Sequence, residues 1–174
     1  MRATTSERIL RGMLAVVGVG TNLGDRAATI RRALESVAKL PGARAAKASP
    51  IYETAPVGPP QPSYLNAAIA IELDPPRSAR SLVAALLAVE HTLGRVRDGE
   101  RFGPRTIDLD LLWTDAAPSA HDDAIVPHPR LHERAFALVP LVDVAPHACA
   151  PDGTKYAEIL ERIGRAGVTL YSSS

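Results

Sequence analysis

Apolar and polar positions alternate along this chain in two periods. Met13 to Gly20 is a short, almost wholly apolar run bounded by turn residues, which predicts a buried strand. Asp25 then precedes apolar residues at helical spacing (Ala27, Ile30, Ala33, Leu34, Val37, Ala38), and Pro41-Gly42 ends them, predicting a helix capped by Asp25. Ala43 to Tyr52 reads as a weaker, alanine-diluted strand. Tyr64 to Leu73 alternates as a strand, Ser78 caps a second helix through Leu82, Leu86, Val89 and Leu93, and Ile107 to Trp113 reads as a further strand.

The order strand, helix, strand, strand, helix, strand predicts an α+β fold, a ferredoxin-like βαββαβ core with an antiparallel sheet. The segment from His128 to Ala166 should add helices, one over Tyr156 to Ile163, covering the second face to give three layers, α/β/α. A chain of 174 residues suits one domain. Residues 13–174 are assigned to it, and residues 1–12 are expected to form a disordered N-terminal extension.

Charge then narrows the partners. The net charge is +1, which gives no global field for nucleic acid or a membrane surface. Met13 to Gly20 is short for a signal peptide and lacks a small-residue cleavage site after it. No apolar run reaches the roughly 18–20 residues that span a bilayer. The single cysteine, Cys149, excludes an intramolecular disulfide, and a reducing cytoplasm is the simplest expected location.

The densest chemistry lies in Arg95 to Leu112 (RVRDGERFGPRTIDLDLL). Arg95, Arg97, Arg101 and Arg105 offer forked donors suited to phosphate oxygens. Asp108 and Asp110 are two apart on a predicted strand, so both carboxylates share a face, roughly 6–7 Å apart at the backbone. Hard divalent cations take such oxygens, completed by water and substrate phosphate. The combination predicts a polyphosphate and metal site.

Other motifs are weaker. Gly18-Val-Gly20-Thr-Asn-Leu-Gly24 follows a strand and opens a helix, but its third glycine is one position late for a dinucleotide fingerprint, and no P-loop occurs. The proline-rich loop Ala55 to Pro62 is too short for a domain boundary. Beside it, Tyr64 and Asn66 place a ring and an amide on one strand face, as needed to stack on and hydrogen-bond a flat polar heterocycle. The five histidines lack zinc-ligand spacing.

Arg101-Phe-Gly-Pro-Arg105-Thr-Ile-Asp108-Leu-Asp110-Leu-Leu closely resembles the signature of the 6-hydroxymethyl-7,8-dihydropterin pyrophosphokinase family. Gly20-Thr-Asn22-Leu, Tyr52-Glu-Thr54-Ala-Pro56-Val-Gly58, Gln61-Pro-Ser-Tyr64-Leu-Asn66-Ala, Glu90, Gly94-Arg-Val-Arg97, Val126-Pro-His128 and Arg134-Ala-Phe136 follow in the family's order.

The resemblance implies an ATP-dependent diphosphokinase of folate biosynthesis, transferring the terminal diphosphate of ATP to the pterin's hydroxymethyl group and releasing AMP. It implies two magnesium ions on Asp108 and Asp110, with Arg95 and Arg105 completing the catalytic set. Glu90, Arg97, Arg101, Leu111, His128 and Arg134 would bind ATP, and Thr54, Val57, Tyr64, Asn66, Phe102 and Phe136 the pterin. It also implies a monomer. Phe102 stands where relatives often carry tryptophan, and Leu87 where they carry a polar contact.

Two other classes compete. An RNA-binding ferredoxin-like module should be more basic and richer in exposed rings than a chain with 4% aromatics. A regulatory domain binding nucleotide without turnover would not need Asp108 and Asp110 together.

Overall fold

The structure is a computed structural model, and it describes residues 12–56, 60–95 and 105–172. Its elements run β1 (Met13–Thr21), α1 (Arg26–Ala38), β2 (Ala43–Ala48), β3 (Tyr52–Thr54), β4 (Tyr64–Leu73), α2 (Ala79–Thr92) and β5 (Asp108–Thr114). The hairpin strands β6 (Ser119–His121) and β7 (Ala124–Val126) follow. A 3-10 turn (Leu131–Glu133), α3 (Ala135–Val144), α4 (Tyr156–Ile163) and β8 (Val168–Leu170) complete the chain. The expected βαββαβ core is present. Its sheet runs β5-β1-β4-β3-β8, with β2 also paired to β4, and every pairing is antiparallel.

Both predicted caps form. Asp25 accepts the Ala28 N–H at 3.0 Å and Ser78 the Ser81 N–H at 3.2 Å, each satisfying a donor that the first helical turn leaves unpaired. Strand alternation then builds two cores. Ala15, Val17, Val19, Leu65, Ala67 and Ile69 face one way, against Ile30, Ala33 and Val37 of α1 and Leu82 and Leu86 of α2. Val16, Ala68, Ala70 and Leu112 face the other way, against Leu138 and Leu141 of α3 and Leu160 of α4. These are the three expected layers. Among the described residues no helix is long and apolar enough to cross a membrane.

One predicted element is corrected. Ala43 to Tyr52 is not a continuous strand but β2 and β3, separated at Ser49-Pro50-Ile51. Proline has no N–H for the ladder. Across the break the register against β4 moves from Ala48↔Ile69 to Tyr52↔Asn66, one residue more on the broken side, the signature of a bulge. Ser49 bridges the gap, donating its N–H to Ala68 O at 2.8 Å and accepting the Ala68 N–H on its hydroxyl at 2.9 Å.

Candidate active site

The site lies on the sheet face that carries the α3 and α4 layer, where β5, β1, β4 and β3 lie side by side. Directly opposed residues of antiparallel strands share a face. The registers Asp108↔Gly20, Gly20↔Asn66 and Asn66↔Tyr52 therefore set four residues in one row, and Asp110↔Gly18 and Gly18↔Ala68 the next. With strands roughly 4.8 Å apart, the Asp108 and Asn66 backbones are separated by about two strand spacings with only a glycine between. The acid pair and the amide-and-ring pair, 42 residues apart at their nearest in sequence, thus share one floor.

Asp108 is held from two sides. Arg95 Nη1 donates to its Oδ1 at 2.6 Å and Arg105 Nη1 to its Oδ2 at 2.6 Å. The same Arg95 Nη1 makes a short bond to Glu90 Oε1. Glu90 is only 2% exposed, and its carboxylate also accepts the Leu109 N–H at 2.7 Å. The last turn of α2 is thereby tied to β5 just where the acids begin.

Asp110 differs. It is half-buried and has no hydrogen-bond or ion-pair partner among the described residues. Burial, then the charge of Asp108, pushes its carboxyl up to about 6, with Glu90 adding to the shift and Arg134 and Arg105 opposing it. A carboxylate desolvated beside another carboxylate is relieved by a cation. Among the described residues no cluster of three or more His, Cys, Asp or Glu side chains could hold a metal alone. A divalent ion here would take carboxylate oxygens of Asp108 and Asp110 and draw the rest from phosphate and water, as magnesium does in nucleotide sites.

His128 is fixed by its N–H to Leu112 O at 2.9 Å, and its Nδ1 accepts the Arg130 N–H at 3.2 Å. Burial, then Arg134 and Arg130, holds its pKa below the usual histidine range. A neutral ring accepting at Nδ1 carries its proton on Nε2, which is a donor. Arg134 begins α3, with its guanidinium 5.8 Å from the Phe136 ring centroid. Leu111 is buried in the core at 6% exposure, so only its backbone can meet a ligand.

On the other side, Asn66 Nδ2 donates to Thr54 Oγ1 at 2.7 Å, and both are buried. Thr54 pairs with Tyr64 across β3 and β4. Val57, Arg97, Arg101 and Phe102 lie outside the described residues.

Asn22 has no role of its own in the expected ligand set. It is 1% exposed. Its Oδ1 accepts the Arg105 N–H at 2.8 Å, and its Nδ2 donates to Gln61 Oε1 at 2.9 Å and Pro62 O at 3.2 Å. Tyr64 OH reaches the same Gln61 oxygen at 3.2 Å. Asn22 thus pins the ends of the arginine-rich and proline-rich segments to the turn after β1. The available signals were its place in the Gly20-Thr-Asn22-Leu segment and a polar side chain between an apolar strand and a helix cap. Two cavities, of ≈ 290 Å³ near Leu160 and ≈ 440 Å³ near Ser78, lie elsewhere and include none of these residues.

The chain is similar to known proteins. Residues 16–146 match the family 7,8-dihydro-6-hydroxymethylpterin-pyrophosphokinase (HPPK). A 2-amino-4-hydroxy-6-hydroxymethyldihydropteridine pyrophosphokinase of Methylorubrum extorquens is 39% identical over 155 residues, covering 88% of this chain and 96% of its own. The protein of the same name from Pseudomonas aeruginosa is 40% identical over 145 residues, covering 83% and 88%. Among solved structures, an HPPK-DHPS in complex with substrates superposes with a TM-score of 0.65 at 12% identity, over 87% of this chain and 43% of that one. At that identity the likeness speaks to fold, and this chain spans less than half of that larger protein.

Proposed function

The chain belongs to the 7,8-dihydro-6-hydroxymethylpterin-pyrophosphokinase family, whose members catalyse ATP-dependent pyrophosphoryl transfer in folate biosynthesis, and from that premise we propose how its residues divide the transfer between them. The hydroxymethyl oxygen of the pterin bonds to the β-phosphorus of ATP, the bond between that phosphorus and the α,β-bridging oxygen breaks, the hydroxyl proton is lost, and AMP leaves. Such transfers need positioning and charge stabilisation more than covalent help.

The observation that carries this reading is the shared floor: Asp108 and Asp110 on β5, Asn66 and Tyr64 two strands away on β4, Thr54 next to them on β3, and glycine between the acids and the amide. Thr54, Tyr64 and Asn66, with Val57, Phe102 and Phe136, bind and orient the pterin, the rings by stacking and the amide and hydroxyl by hydrogen bonds. Arg95 and Arg105, already turned toward Asp108, meet phosphate oxygens together with Arg97, Arg101, Arg134 and the Nε2–H of His128. Glu90, assigned to the ATP side, also orients Arg95 from its buried position. Leu111 contributes backbone groups at the adenosine end. Asp108 and Asp110 hold magnesium, two ions being the expected number, and the ions supply positive charge to the triphosphate oxygens. We further propose a cytoplasmic monomer that engages only small molecules.

The test is AMP release from Mg-ATP with and without 6-hydroxymethyl-7,8-dihydropterin. Pterin-dependent AMP supports the reading, and AMP formation that is absent or indifferent to the pterin rejects it.

A further inference from the structure

We propose that Gly20 is a specificity-determining residue, whose missing side chain leaves open the part of the floor over which the pterin's hydroxymethyl arm reaches the acids. The inference rests on the pterin reading above and adds a residue to it.

Three observations converge. Gly20 is directly opposite both Asp108 and Asn66, so any side chain there would project between the acid and the amide. Among the described residues a Cβ built at Gly20 meets one neighbour within 4 Å, Asn66 Oδ1 at 3.2 Å, and none of them fills the rest of the space above it. The backbone does not explain the glycine. Gly20 lies inside β1 and, unlike Gly24 with its φ of 65°, is not among the glycines of positive φ.

Gly18, on the same face one row along, provides the contrast. A Cβ there would come within 3.0 to 3.2 Å of three atoms of the Leu112 side chain, so that row is already filled by core. The floor is therefore closed at Gly18 and open at Gly20. The amide next to the opening has a set orientation. Asn66 Nδ2 is engaged by Thr54 at 2.7 Å, which turns Oδ1 toward the glycine. A methyl at residue 20 would press on that oxygen and occupy the space between the two binding groups.

The test compares wild type with Gly20→Ala. With a non-hydrolysable ATP analogue and magnesium present, pterin affinity should fall by about tenfold or more, one methyl in a packed pocket being enough for that. The KM for pterin should rise similarly, while affinity for the ATP analogue stays within about threefold. A double variant separates a blocked floor from a merely displaced amide: Gly20→Ala should weaken pterin binding further even when Asn66 is already alanine. If it adds nothing there, the floor is not occupied and the proposal fails.

Should Gly20→Ala not fold, the wild-type ternary complex decides. Its NMR spectrum should show cross-relaxation between the Gly20 Hα protons and the hydroxymethyl protons, and absence of that contact overturns the proposal. Wild type without pterin-dependent AMP release would instead defeat the underlying functional reading. Normal wild-type turnover with unchanged pterin affinity in Gly20→Ala defeats this inference alone.

Discussion

Asn22 Oδ1 accepts the backbone N–H of Arg105 at 2.8 Å, across 83 positions of sequence. The contact is reciprocal, because Asn22 N–H donates to Arg105 O at 3.2 Å. One buried amide thereby fixes where the arginine-rich segment re-enters the fold and, through Gln61 and Pro62, where the proline-rich segment ends. Asn22→Ala leaves the Arg105 N–H and the Pro62 carbonyl without this partner. The expected loss is about 1–3 kcal/mol of unfolding free energy by urea denaturation. With both segments assigned to the ligands as proposed, KM should rise for ATP and pterin together; a rise confined to one substrate would contradict the common anchor.

Glu90 and Arg95 form the most buried ion pair described, with side-chain exposures of 3% and 13%. Glu90→Ala leaves a nearly buried guanidinium with only Asp108 to face among the described residues, and a Leu109 N–H without its acceptor. Removing one partner of such a pair should cost about 3–5 kcal/mol, read from chemical denaturation. Glu90→Gln keeps an oxygen for Leu109 and should cost less. If both variants unfold like wild type, Glu90 does not position Arg95.

These contacts mark how far the sequence was legible. Strong local signals carried through: Asp25 and Ser78 cap the helices they precede, and Tyr156 to Ile163 is α4. The acid pair was readable because alternation alone puts Asp108 and Asp110 on one face. The break at Ser49-Pro50 was hidden by an even alanine background, and β6, β7 and β8, three residues each, are too short to show a period. Gly20 acquires its place through the registers of β1 against β4 and β5, and Asn22 through hydrogen bonds to Arg105, Gln61 and Pro62; such long-range contacts leave no local hydrophobic pattern.

His128 should titrate below the ordinary histidine value in the free protein, since burial and then Arg134 and Arg130 disfavour its cation. The sign follows from linkage. With the folded pKa depressed, the neutral ring's contribution is complete above the unfolded value of about 6.5 and is lost as pH falls from there through the folded pKa. An NMR titration of the ring should therefore place it below about 6.5, and binding of an ATP analogue should raise it, because a polyanion near Nε2 stabilises the cation. A free-protein value at or above the ordinary one would contradict the burial and the Nδ1 contact.

Asp110 offers the sharpest separation of stability from activity. Its carboxyl is raised to about 6, by burial first and Asp108 second, while in the unfolded chain it titrates near ~3.9. Between those values the folded protein keeps a proton that the unfolded chain has lost. Stability therefore falls as pH rises through this window, and the full cost of the charged pair stands above it. Asp110→Asn removes that charge. In chelator at neutral pH the variant should melt above wild type, and near pH 4 the two should converge. Turnover should fall by about a thousandfold or more, as for loss of a metal ligand and its electrostatic stabilisation. Magnesium with an ATP analogue should raise the wild-type melting temperature and barely move the variant's. A variant that turns over normally, or whose melting advantage is the same at pH 4 and pH 7, would show that Asp110 is neither the metal ligand nor the strained carboxylate its surroundings make it.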